Sequence, residues 1–93
     1  MTCMFSDCSS LQELDLSSFD THNVTYMDYM FYNCSSLQHL NLSRFNMDAV
    51  TDKSYMFTSF ASQSGHCTIT SPASVRTAIS TGTQLNTSKI TWN

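Results

Sequence analysis

The sequence predicts an α/β chain wound as a right-handed solenoid, with a single parallel sheet and short helices or 3-10 turns on the opposite side. Two observations predict it. The first is an ungapped internal repeat: shifting the chain by 26 lays residues 1–26 over 27–52 with 14 of 26 positions identical. The second is that the identities fall into two hydrophobic textures, one of period two and one of period three to four, as a strand and a helical segment require.

The first strand is read at 13–17. Leu11, Leu14 and Leu16 follow an L-x-x-L-x-L pattern, and Leu14 and Leu16 alternate with polar Asp15. Alternation of this kind turns the leucines inward. A one- to two-turn helix, or a 3-10 turn, is expected next, because Val24, Met27 and Phe31 recur at three and four residues. Asp20, Thr21 and Asn23 can cap it. The second copy repeats both textures, with Leu37, Leu40 and Leu42 giving a strand at 39–43, and a third copy begins at Met56 and Phe57. One strand per short repeat with this leucine spacing is the pattern of a leucine-rich repeat. A unit this small cannot bury its apolar face alone, so like residues are expected to pack in columns: Leu14 on Leu40, Phe5 on Phe31 on Phe57, Met4 on Met30 on Met56.

After Phe60 the pattern changes, and the chain divides into about two and a half repeats over 1–60 and a closing strand–helix–strand cap over 61–93. Cys67 and Ile69 lie 27 residues after Leu40 and Leu42, which predicts a one-residue insertion near Gly65. Ser71 and Pro72 read as an N-cap and first helical position, Val75, Ala78 and Ile79 as the buried stripe, and Gly82 as the stop. Ile90 and Trp92 share one face of a last strand. The first repeat has no comparable cover. The segment therefore reads as the C-terminal part of a longer array. Taken alone it is expected to self-associate through its uncapped N-terminal end, most simply as a two-fold dimer with first repeats facing each other.

Composition sets the functional bounds. The 93 residues carry only 12% charged side chains and a net charge of −3. Four basic residues leave no electrostatic footprint for nucleic acid. No apolar run approaches a membrane span, so no membrane insertion is expected in this segment. The first residues lack the basic start and long apolar stretch of a signal peptide.

The run Met30-Phe31-Tyr32-Asn33-Cys34-Ser35-Ser36-Leu37, then Leu40-Asn41-Leu42-Ser43 and Phe45, closely resembles the repeat of the BspA-like leucine-rich repeat surface proteins. The first copy fits it further, through Phe19-Asp20-Thr21 and Val24-Thr25 followed by Met27. The resemblance covers 1–60, and the end at Ile90-Thr91-Trp92 is similar to the tail that closes such arrays. It implies a secreted or cell-surface protein of the kind found in gut and oral bacteria, mycoplasmas and some parasitic protists, with a role in adhesion to host or matrix proteins or to other cells. It carries no catalytic residues.

The residues themselves point away from chemistry. Cys8 and Cys34 share a column, but stacked Cβ vectors run parallel and disfavour a disulfide, so both are expected as reduced, packed thiols. Cys3, Cys8, His66 and Cys67 supply zinc-ligand types without a C-x₂-C or H-x₃-H pair, and no metal or cofactor is expected. His22, His39 and His66 stand in no nucleophile motif, so no enzyme is predicted. Four N-x-S/T sequons begin at Asn23, Asn33, Asn41 and Asn86; in a chain this rich in Ser and Thr they arise by composition.

The binding candidates are the polar strand positions: Glu13 and His39, Asp15 and Asn41, Ser17 and Ser43. Alternation sets them on the outer, concave face of the sheet, which Thr68, Thr70, Lys89 and Thr91 should continue. The function expected is a non-enzymatic repeat module that binds an extracellular protein or glycan through this face. The alternative is a structural spacer and cap with no ligand of its own.

Overall fold

A computed structural model describes residues Met1–Asn93. Four short strands, β1 (Glu13–Asp15), β2 (His39–Asn41), β3 (Cys67–Thr70) and β4 (Ile90–Trp92), form one sheet in chain order. Every neighbouring pair is parallel. One α-helix, α1 (Ala73–Ile79), and a 3-10 turn at Thr87–Lys89 complete the regular structure, both between β3 and β4. The leucine pattern accounts for β1 and β2: Leu14 is the register partner of Leu40, and Leu40 of Ile69. Leu40 and Ile69 are buried, while Glu13 and His39 beside them are exposed.

Of the short helix or 3-10 turn expected from Val24, Met27 and Phe31, no helix forms between the strands of the repeats. The chain instead runs through consecutive tight turns whose amide hydrogens go to two destinations in alternation. Met30, Tyr32 and Cys34 donate three residues back, to Met27, Tyr29 and Phe31. Tyr29, Phe31 and Asn33 donate across to the next copy, to Ser54, Met56 and Thr58 at 3.1, 2.9 and 2.8 Å. The same alternation joins the first copy to the second: Cys3, Phe5 and Asp7 donate to Asp28, Met30 and Tyr32. A second backbone ladder thus runs between copies, away from the sheet. It requires left-handed residues at fixed places: Cys3, Tyr29 and Tyr55 have φ of 57 to 59°, and Asp7, Asn33 and Ser59 of 58 to 62°. Asp and Asn tolerate that region better than most residues.

The columns are visible in the core. Phe5, Phe31 and Phe57 stack with centroids 5.8 and 5.2 Å apart. Met27, Met30 and Met56 are fully buried, whereas Met4 is half-exposed. Thr21 replaces an apolar contact with a polar one: its hydroxyl donates to the Asn46 carbonyl at 2.9 Å and accepts from the Asn46 amide at 2.8 Å.

The third copy departs from the expected spacing. Leu40 pairs with Ile69, 29 residues on, so the insertion is three residues and not one. The extra length is absorbed in a turn where Ala61 and Gly65 take positive φ and the Gly65 amide donates to the Ala61 carbonyl. In the cap, α1 starts at Ala73 with Pro72 as the preceding residue, and the Ser71 hydroxyl makes no capping bond. Pro72 has an extended ψ of 155°, which places it outside the helix. Val75 and Ile79 are buried, and Gly82 follows the helix with φ of 72°, as the pattern required.

Candidate functional site

The parallel register sets the outward side chains in rows. Glu13, His39, Thr68 and Thr91 form one row across all four strands. Asp15, Asn41 and Thr70 form the next. Parallel strands lie about 4.8 Å apart, so each row presents polar groups at a fixed pitch on a backing of buried Leu40 and Ile69. At the β4 side His66 Nε2 lies 2.5 Å from Thr91 Oγ1, and the Asn93 side-chain amide approaches Thr70 Oγ1 at 3.5 Å. The β4 half of the face is therefore cross-linked among its own residues.

The β1 half is open. A shallow depression of about 200 Å³ there is lined by Glu13, Leu14, Asp15, His39 and Asn41. Four of the six candidate residues, Glu13, Asp15, His39 and Asn41, thus meet in one place. Ser17 and Ser43 lie outside it. Both instead close the strand ends: the Ser17 amide donates to Asp15 Oδ1 at 2.9 Å, and the Ser43 amide to Asn41 Oδ1 at 3.0 Å. These are turns in which a side-chain oxygen binds the backbone two residues on. The bonds from Ser17 hold the Asp15 carboxyl below its ordinary range. Glu13 and His39 make no hydrogen bond through their side chains and remain free to meet a ligand.

Burial pushes the Cys34 and Cys67 thiols up to about 12, so neither forms a thiolate near neutrality. Cys34 Sγ donates to the Phe5 carbonyl at 3.1 Å, which ties the thiol into the column. His22 pairs with its sequence neighbour Asp20 on the surface, at 2.5 Å. No group of three or more His, Cys, Asp or Glu side chains is placed to hold a metal ion. No helix is long and apolar enough to cross a membrane.

One surface feature escaped the sequence reading. On the turn side, the Tyr29 ring stacks on Tyr55 at 5.2 Å and meets Tyr32 at 5.5 Å. Tyr55 is exposed, and Tyr26 is also exposed, although its ring makes no stacking contact. The signal was present in the 26-residue spacing of Tyr29 and Tyr55, which sets one residue over the other.

No curated protein and no solved structure matches the chain. Residues 1–92 match the model of a family described as "Mycoplasma protein of unknown function, DUF285". With that match spanning nearly its whole length, the chain belongs to this family.

Proposed function

We propose that this chain is a non-enzymatic binding module of a secreted or cell-surface protein, built as a leucine-rich-repeat-type solenoid of BspA-like kind, and that the β1 half of its outward sheet face binds an extracellular protein or glycan. The observation that carries the reading is the open depression where Glu13 and His39, free of internal partners, stand one strand apart over a packed apolar layer. A carboxylate and an imidazole at fixed separation on a stiff backing can accept and donate hydrogen bonds with little ordering cost.

The experiment is a binding screen of the 93-residue chain on arrays of matrix proteins and of glycans, repeated with Glu13→Ala/His39→Ala. Both side chains are exposed and outside the turns, so the fold should survive their loss. A ligand whose affinity falls about tenfold or more, roughly 1.4 kcal/mol, supports the reading. Binding left unchanged by the double variant, or none on either array, contradicts it. A second reading, a structural spacer without a ligand, is favoured by one observation: Asp15, Ser17, Asn41 and Ser43 are engaged with one another in closing the strand ends. That reading predicts no binding and a loss of stability when Asp15 or Asn41 is replaced.

A further inference from the structure

Charge is divided along the strand order. Residues 1–43 contain five acidic side chains, Asp7, Glu13, Asp15, Asp20 and Asp28, and no lysine or arginine. Residues 53–93 contain Lys53, Arg76 and Lys89 and no acidic side chain. Because the strands lie in chain order, one sheet edge is acidic and the other basic. β1 carries exposed Glu13 and Asp15. Lys89 immediately precedes β4, and Arg76 lies over the β4 Trp92 ring at 5.0 Å.

Both edges are also unfinished in the same way. β1 and β4 each have a strand neighbour on one side only, which leaves a row of backbone groups open to pairing. Both present half-buried apolar side chains where interior strands have fully buried ones: Leu14 at one edge, Ile90 and Trp92 at the other, against Leu40 and Ile69 between them. We propose that the β1 edge of one molecule docks in parallel on the β4 edge of a second copy of this chain, so that copies join head to tail with Glu13 against Lys89. Side-chain alternation restricts the register to steps of two residues. Leu14 beside Ile90 sets Glu13 level with Lys89, the last residue of the 3-10 turn that leads into β4, and Leu14 beside Trp92 sets Glu13 beside Thr91 with Lys89 on the diagonal, both within reach of long side chains.

The two-fold dimer expected from the sequence is disfavoured by the same charges. Antiparallel pairing of two β1 strands about Leu14 sets Glu13 of each copy opposite Asp15 of the other, and like charges directly opposed destabilise a strand pair. Head-to-tail docking instead uses two different patches and leaves one of each free, so it grows into chains and does not stop at a dimer.

The test is sedimentation velocity on the 93-residue chain over a concentration series, with Glu13→Lys, Lys89→Glu, their equimolar mixture and the double variant. Glu13 is exposed and the Lys89 side chain makes no hydrogen bond, its backbone amide alone donating to the Asn86 carbonyl, and circular dichroism checks that each variant keeps the fold. The wild-type chain should form oligomers beyond a dimer as concentration rises. Each single exchange should weaken association roughly threefold to tenfold by opposing like charges. The mixture and the double variant should restore it, since each again pairs opposite charges. A wild-type monomer at every concentration overturns the proposal. So do single variants that associate as the wild type does, and so does tighter dimerisation of Glu13→Lys, the signature of β1 against β1. A variant that unfolds is replaced by Glu13→Gln or Lys89→Gln, for which the expected weakening is smaller and in the same direction.

Discussion

Leu40 shows at one position how the repeat makes its core. It lies between Leu14 and Ile69 in register and is 1% exposed, so its side chain is packed from both neighbouring strands. Leu40→Ala should cost roughly 2–5 kcal/mol in a chemical melt, a large part of the stability of so small a domain; a cost near zero would place Leu40 outside the core. The thiols give a second prediction. Cys3 is exposed and Cys8 half-buried, whereas Cys34 and Cys67 are fully buried and their ionisation is pushed up to about 12. An alkylating reagent should therefore label Cys3 first and reach Cys34 and Cys67 only with denaturant, as read by mass spectrometry. The sign for stability follows from the same shift. A thiol with an ordinary value of 9.0 unfolded and about 12 folded favours the folded state fully below 9, and that contribution is lost as pH rises between the two values. At the acid end, Asp15, Asp20 and Asp52 are all held below their ordinary 3.8 by bonds from Ser17, His22 and Ser54. Their contribution is present above that value and is lost as pH falls below it. Thermal melts should therefore show a plateau between the two ranges with losses at both ends.

The turn segments decide how much of each element could be read from the sequence. Met27, Met30, Phe31 and Cys34 are all fully buried, and their spacing of three, four and seven is the one an amphipathic helix shows. The pattern is shared by two structures, because a run of tight turns can bury the same positions. What separates them is the left-handed backbone at Tyr29 and Asn33, which interrupts the helical bonding and hands alternate amides to the next copy. The sequence carries that only as Asp7 and Asn33, residues tolerant of positive φ, and hides it at Tyr29 and Tyr55. The strand register between β1 and β2 was legible from the 26-residue period. The register of β3 was not, because the three extra residues after Ser59 shift the pairing with no change in the alternation of Cys67 to Thr70. Ser59 offers a test of the turn geometry. It is exposed with φ of 58°, so Ser59→Gly should be neutral or stabilising, while Ser59→Val should destabilise by about 1–2 kcal/mol through the clash of a branched side chain in that region. Equal effects of the two would argue that the turn is built otherwise.

Across the whole molecule, copies are joined by two backbone ladders, the parallel sheet on one side and the turn ladder on the other, with columns of leucine, phenylalanine and methionine between them. This arrangement makes the outward rows of the sheet a consequence of register, so Glu13 and His39 meet only because Leu14 and Leu40 do. The outer face of the sheet was legible in the sequence for that reason. Its division into an open β1 half and a cross-linked β4 half was not, since the contact of His66 with Thr91 joins residues 25 apart in a region where the period has broken down. The most direct test of this account is the measurement of scalar couplings across hydrogen bonds in the isotopically labelled chain by nuclear magnetic resonance. The account predicts couplings from the amide nitrogens of Leu16 and Leu42 to the carbonyl carbons of Asn41 and Thr70 in the sheet, and from those of Phe5 and Phe31 to Met30 and Met56 in the turns. Couplings from Phe31 to the carbonyl four residues earlier, with none to Met56, would show a helix in place of the second ladder and contradict it.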